Sequence, residues 1–144
     1  MNPEFQECLK KQKIKPFSRG KTLVGKELDT AKSDLEQAKT SYENGSYKWA
    51  MIQAYYAMFH SARALLYAKN YRERSHYCLI VAVRALYVDM NLMPAGLVEA
   101  LHRGKTLRES ADYYDQWSQT GALQMLENAN SFTKKAQELL APIT

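Results

Sequence analysis

Apolar residues return every three or four positions in five successive stretches of this chain, the spacing of one face of an α-helix. In the first, from Gly25 to about Glu43, Val24, Leu28, Ala31, Leu35, Ala38 and Tyr42 form a seam suited to lengthwise packing on a partner helix. Asn44-Gly45 stops it, and Ser46 is placed to cap the next. That central stretch, from Tyr47 to about Lys69-Asn70, is apolar over most of its circumference and belongs at the middle of a bundle. Residues 75–90 follow, almost unbroken from Cys78 to Val88. Their β-branched content would suit a strand, but about four turns of length decide for a helix. Asn91 to Pro94 breaks it. Residues 95–114 form the most polar helix, with Gly104 as a weak point. After Asp115-Gln116-Trp117, Ser118 or Thr120 opens a last helix that should bury Leu123, Leu126, Ala129, Phe132 or Thr133, Ala136 and Leu140.

These elements predict an all-α fold: an antiparallel up-and-down helical bundle of four long helices plus a short one, over residues 21–144. Residues 1–20, with Lys10, Lys11, Lys13, Lys15 and Arg19, read as a short helical turn followed by an irregular basic arm.

One feature breaks the apolar pattern. Gln53, Tyr56, His60, Arg63 and Tyr67 recur at spacings of three and four, and so share one side of the central helix. Polar groups on a buried helix are costly unless they find partners or line a wet groove. Arg63 cannot shed its charge and must reach a carboxylate, carbonyls, solvent or a phosphate. Two further constellations stand beside this stripe. Arg72-Glu73-Arg74-Ser75-His76 sets two arginines before a helix N-terminus, which is either an anion site or a solvated loop capped by Ser75. Arg108 and Asp112, four apart, make either a simple ion pair or, beside Tyr113, a surface for a phosphate or a base.

Composition narrows the classes. With 144 residues and a net charge of +5, the chain reads as one domain leaning mildly toward polyanionic partners. Two cysteines, Cys8 and Cys78, far apart in sequence, and 3 His give no zinc pattern. The expectation is reduced thiols in a cytoplasmic protein, without secretion leader, membrane span, metal or cofactor. Phosphate-loop and nucleophile-elbow sequences are absent, which leaves His60, His76 and His102 as candidates for proton transfer.

The central run Tyr47-Lys48-Trp49-Ala50, Gln53-Ala54-Tyr55-Tyr56-Ala57-Met58-Phe59-His60 and Ala62-Arg63-Ala64-Leu65-Leu66 resembles the HEPN family. The likeness continues through Tyr71-Arg72-Glu73-Arg74-Ser75-His76 and Leu107-Arg108-Glu109-Ser110-Ala111-Asp112-Tyr113 to Ala129 and Phe132, covering about residues 22–140. It implies a bundle of this kind, usually a homodimer, commonly set beside a minimal nucleotidyltransferase as a toxin–antitoxin pair. Many members are metal-independent ribonucleases whose motif is Arg, a polar residue, a few residues and then His. Arg108 and Glu109 match its start, but no His follows His102, and Asp112 stands near the expected place. An ordinary Asp, with a pKa of about 3.9, is a poor proton carrier near neutral pH. The sequence is therefore read first as a nucleotide- or RNA-binding domain and partner of a nucleotidyltransferase. An RNA endonuclease using His60 or His76, and a purely structural dimerisation module, are the alternatives. Site candidates are Arg108, Asp112, Tyr113, His60, Arg63, Tyr56, Arg74 and His76.

Overall fold

The computed structural model describes residues 2–143. Its helices are α1 (Pro3–Lys10), α2 (Gly20–Glu43), α3 (Tyr47–Tyr67), α4 (His76–Val83), α5 (Ala95–Tyr113) and α6 (Gln119–Leu140), and α4 runs on into a π-helical segment, Arg84–Val88. Two short strands, β1 (Ile14–Pro16) and β2 (Tyr71–Glu73), pair antiparallel. The expected all-α bundle is present. Among the described residues no helix is long and apolar enough to cross a membrane.

α3 is the axis of the bundle. It packs along α2 and against α6, α5 and α4. Met51, Ile52, Tyr55, Met58, Phe59, Leu65 and Leu66 are all buried, together with its alanines at 50, 54, 57, 62 and 64. Small residues let neighbouring backbones approach closely, while the larger ones fill the gaps between helices. The α2 seam behaves as its spacing requires, with Val24, Leu28, Ala31, Leu35 and Ala38 buried and Tyr42 partly so.

Local chemistry sets the boundaries. The Asn2 side chain accepts from the Phe5 N–H (3.0 Å), Ser75 from that of Cys78 (3.0 Å) and Ser118 from that of Gly121 (2.9 Å). Ser46 precedes α3 but its hydroxyl makes no capping bond, contrary to expectation. α2 starts at Gly20, a turn and a half earlier than its apolar spacing suggests, and Gly20 lies against the backbone of Tyr67, where a Cβ would collide with the carbonyl. Gly104 is a point of close packing rather than weakness, since a Cβ there would meet Met58 Cε at 2.9 Å. In α6 the inward face is Ala122, Met125, Ala129, Phe132, Thr133, Ala136 and Leu140. Leu123 is exposed and Leu126 only partly covered, because the first turn beyond the Ser118 cap presents Ala122 and Met125 to the core instead.

Two expectations about the N-terminal residues are corrected. The expected short helical turn is an eight-residue helix, but the residues after it, expected to be an irregular arm, contain a strand, with Ile14 only 1% exposed and Phe5 edge-on to Tyr71 at 5.7 Å. The thiols are not free: Cys8 and Cys78 form a disulfide between α1 and α4, with Cα atoms 5.9 Å apart. Folding had brought together two residues that sequence distance seemed to separate. Closing a loop across 70 positions restricts the unfolded chain strongly. Cys8→Ser should therefore lower the unfolding free energy by about 2–4 kcal/mol. Urea melts of the oxidised and reduced protein and of this variant would check it, and coincident melts would show that the bond adds nothing.

Candidate functional site

The polar stripe of α3 resolves into two environments. Toward the C-terminal end, Arg63 donates to Glu73 of β2 (Nη2 to Oε2, 2.7 Å) and to Glu27 of α2 (Nη1 to Oε1, 3.4 Å), while its guanidinium lies 4.5 Å from the Phe59 ring centre. His60 approaches the same Glu27 carboxylate through Nδ1 at 3.4 Å and Asp34 through Nε2 at 3.9 Å. Burial raises the Glu27 carboxyl, but the hydrogen bond and charge of His60 and the neighbouring Arg63 outweigh it, and the group sits below the ordinary carboxylate value. Asp34 is pushed up by burial, with His60 opposing. Gln53 turns its amide toward α2 and donates to the Gln37 carbonyl (3.1 Å) and the Ser41 hydroxyl (2.7 Å). These side chains tie α2, α3 and β2 together.

Glu27, Asp34 and Glu73 are site residues that the sequence reading missed. Glu27 was legible: it lies three residues after Val24 and four before Ala31, so it places a carboxylate on the buried face of α2.

The second environment surrounds Arg108. α5 is held against α3 by Val98, Leu101, Gly104 and Ala111, which brings Arg108, only 7% exposed, over the tyrosines. Its guanidinium lies 5.4 Å from the Tyr55 ring centre and 5.6 Å from those of Tyr56 and Tyr113. Nη1 reaches the Tyr113 hydroxyl only at 3.5 Å and an Asp112 oxygen at 3.6 Å, and the buried Nε has no partner. At those separations the polar contacts are weak. Arg108 is a desolvated cation with hydrogen-bonding capacity to spare, beside an exposed Tyr113.

His76 stands next to this cage. Its Nδ1 is 2.8 Å from the Tyr55 hydroxyl, and its ring stacks on Phe59 at 5.0 Å. Burial, helped by Lys105 and Arg108, holds the imidazole below its ordinary value, so it is neutral near pH 7. Burial also pushes the Tyr55 phenol up, so that it keeps its proton. Tyr56, 6.5 Å from His60, joins the two environments. His60, Arg63, Arg108, Asp112, Tyr113, Tyr56 and His76 thus share one continuous side of the molecule. Arg74 does not join them. It is exposed with Arg72, while Glu73 between them turns inward to Arg63.

The bundle and the Arg108 motif define a class. The HEPN domain model matches residues 25–143, and the chain belongs to that family. A Methanocaldococcus jannaschii protein described as a candidate toxin is 30% identical over 81% of this chain and 87% of its own length. An Archaeoglobus fulgidus UPF0332 protein is 31% identical over 72% and 83% respectively. A Pyrococcus horikoshii UPF0332 protein is 27% identical over 81% and 73%.

Two outcomes follow from this geometry. Arg63→Ala leaves two carboxylates without their cation and should destabilise the fold by about 2–4 kcal/mol in chemical denaturation, whereas Arg108→Ala should cost less, having little hydrogen bonding to lose. His76 supplies a pH dependence. Its folded value lies below the ordinary 6.5, so as pH falls through about 6.5 the unfolded chain takes up a proton that the folded chain resists. Stability should therefore drop on the acid side of that point, and His76→Asn should flatten the dependence. A histidine NMR titration with its midpoint above 6.5 for His76 would contradict this.

Proposed function

We propose that this chain is a toxin-like HEPN protein that binds RNA or a nucleotide at the Arg108 cage and works as the partner of a minimal nucleotidyltransferase. The observation carrying the reading is the buried Arg108 guanidinium, whose Nε has no partner and whose nearest carboxylate is 3.6 Å away. A phosphate oxygen or a base edge would satisfy donors that the protein leaves unsatisfied. Tyr113, 67% exposed and in ring contact with the guanidinium, offers a face on which a base can stack. The family and the candidate-toxin description of a relative support the toxin-like part of the reading.

Binding is favoured over cleavage by how the histidines are occupied. The His76 Nδ1 is engaged by the Tyr55 hydroxyl at 2.8 Å, and His60 lies between Glu27 and Asp34.

The chain is also proposed to work as a homodimer. The apolar faces of α3 and α4 are covered within a single chain and do not supply the interface. The surface that fits instead holds the exposed rings of Trp49 and Trp117, with Lys48 5.5 Å and 5.7 Å from the two indoles.

Arg108→Ala should weaken binding of a labelled single-stranded RNA or of AMP by about 10- to 100-fold, the loss of one or two charged hydrogen bonds. Asp112→Asn should have a smaller effect in the same direction. Fluorescence anisotropy and calorimetry read both. Equal affinity of wild type and Arg108→Ala would remove the cage from the binding site, and chelator-resistant RNA cleavage lost in Arg108→Ala would replace binding by catalysis. Light scattering should give a dimer that Trp49→Lys with Trp117→Lys converts to monomer.

A further inference from the structure

The two-stranded ribbon carries a group of cations that the bundle does not use. In its register Lys15 stands opposite Arg72 and Ile14 opposite Glu73, while the Arg74 N–H donates to the Lys13 carbonyl (2.8 Å) and so continues the ladder. Side chains alternate along a strand. Ile14, Tyr71 and Glu73 therefore turn inward, and Arg72 and Arg74 are exposed. Like charges directly opposite one another on a sheet are destabilising. Among the described residues no carboxylate pairs with Lys13, Lys15, Arg72 or Arg74, although the acidic Glu73 is adjacent in sequence. Glu73 is spent on Arg63 across the ribbon.

The cations also have a shaped setting. Lys15, Pro16, Phe17, Arg72 and Arg74 line an open cleft of about 490 Å³. The Arg72 guanidinium lies 5.2 Å from the Phe17 ring centre, which steadies its plane with the donors facing solvent. Phe17 in turn rests on Tyr67 at 5.1 Å, the last member of the α3 stripe. That ring contact ties the cleft to the C-terminal end of the α3 stripe, with Arg72 and Arg74 turned to the other face of the ribbon from Glu73. From Tyr56 to Tyr67 the helix rises roughly 16 Å at about 1.5 Å per residue.

We infer that the Lys15, Arg72 and Arg74 cleft is a phosphate-binding site for the backbone of a single-stranded RNA whose other part occupies the Arg108 cage. A chain of phosphodiesters meets the requirement that both sites impose, repeated negative charge with oxygens to accept from guanidinium donors. The ribbon supplies affinity without base selectivity, and the cage beside Tyr113 supplies contact with a base. The inference rests on the reading that the chain binds RNA, but its residues are separate from those that carry that reading.

The experiment is a salt series of anisotropy titrations of the full chain with a short fluorescent single-stranded RNA. Arg72→Ala with Arg74→Ala should flatten the slope of log affinity against log salt by about 1.4, two phosphate contacts at about 0.7 each. Arg72→Lys with Arg74→Lys should keep most of the slope, because a backbone contact needs charge more than a fork. Circular dichroism confirms that each variant is folded, which their exposure favours. A folded alanine double variant with the wild-type slope overturns the inference, and if Arg108→Ala still abolishes binding, the proposed function stands without it. A flattened slope with Arg108→Ala unchanged keeps the ribbon and removes the cage. Inorganic phosphate or AMP that shifts the ribbon amide resonances without competing with RNA would assign the cleft to a free phosphate and overturn the RNA assignment. Displacement of the RNA by poly-glutamate at equal charge concentration would overturn it as well.

Discussion

The half-buried polar stripe of α3 sets what the rest of the structure must supply. The helix is packed on its other faces, and Arg63, its side chain still 28% exposed, meets carboxylates brought from other elements along that stripe. Glu27 comes from α2 and Glu73 from β2, and each is itself nearly buried. Losing Arg63 takes the cation from both carboxylates, and losing Glu73 removes the 2.7 Å partner of Arg63, whereas losing Glu27 leaves that pair in place. The network therefore fixes how α2 lies along α3 and where β2 sits at the end of both. Hydrophobic contacts supply most of the stability, but they are nondirectional and would tolerate a rotation of α2 that this pairing does not.

The same constraint separates structure from function on this face. Arg63 and Arg108 are both arginines on helices facing the centre of the bundle, and both lie against aromatic rings. Arg63 has a carboxylate oxygen at 2.7 Å, whereas the nearest to Arg108 is at 3.6 Å and belongs to a partly exposed side chain. Aromatic faces compensate part of the lost hydration of a cation but accept no strong hydrogen bonds. Arg63 is chemically complete, whereas Arg108 keeps a buried Nε donor that no protein group takes up. His60, which shares a stripe with both, falls on the structural side because Glu27 engages it.

Much of this could be read from the order of residues, for identifiable reasons. Helix positions and the α2 seam follow from a period set by backbone geometry, which tertiary packing seldom overrides over several turns. Arg108, Asp112 and Tyr113 were legible because they are neighbours on one helix. The stripe was legible as a stripe, but not as two environments, since that division depends on Glu27 and Glu73, 36 and 10 residues away from Arg63. The ribbon was illegible for a related reason. Three-residue strands are too short to show alternation, and β1 makes sense only once β2 lies beside it. The Cys8–Cys78 bond fails on the same ground, because sequence distance says little about distance across a helical bundle.

The N-terminal residues show where the shared bundle ends and its support begins. The family model starts at residue 25, beyond α1, β1 and the first turn of α2. Yet β1 is what pairs β2, and β2 is what presents Glu73 to Arg63. Unpaired, residues 71–73 would be a connection between α3 and α4 with its backbone open to water and its side chains free to turn. Three contacts prevent this: the disulfide to α4, Phe5 against Tyr71, and Phe17 against Tyr67. They hold opposite ends of the segment, so neither α1 nor β1 can lift away alone. A stretch outside the recognised domain therefore orients a charge inside it. The same pairing that turns Glu73 inward turns Arg72 and Arg74 outward, because a strand cannot do one without the other.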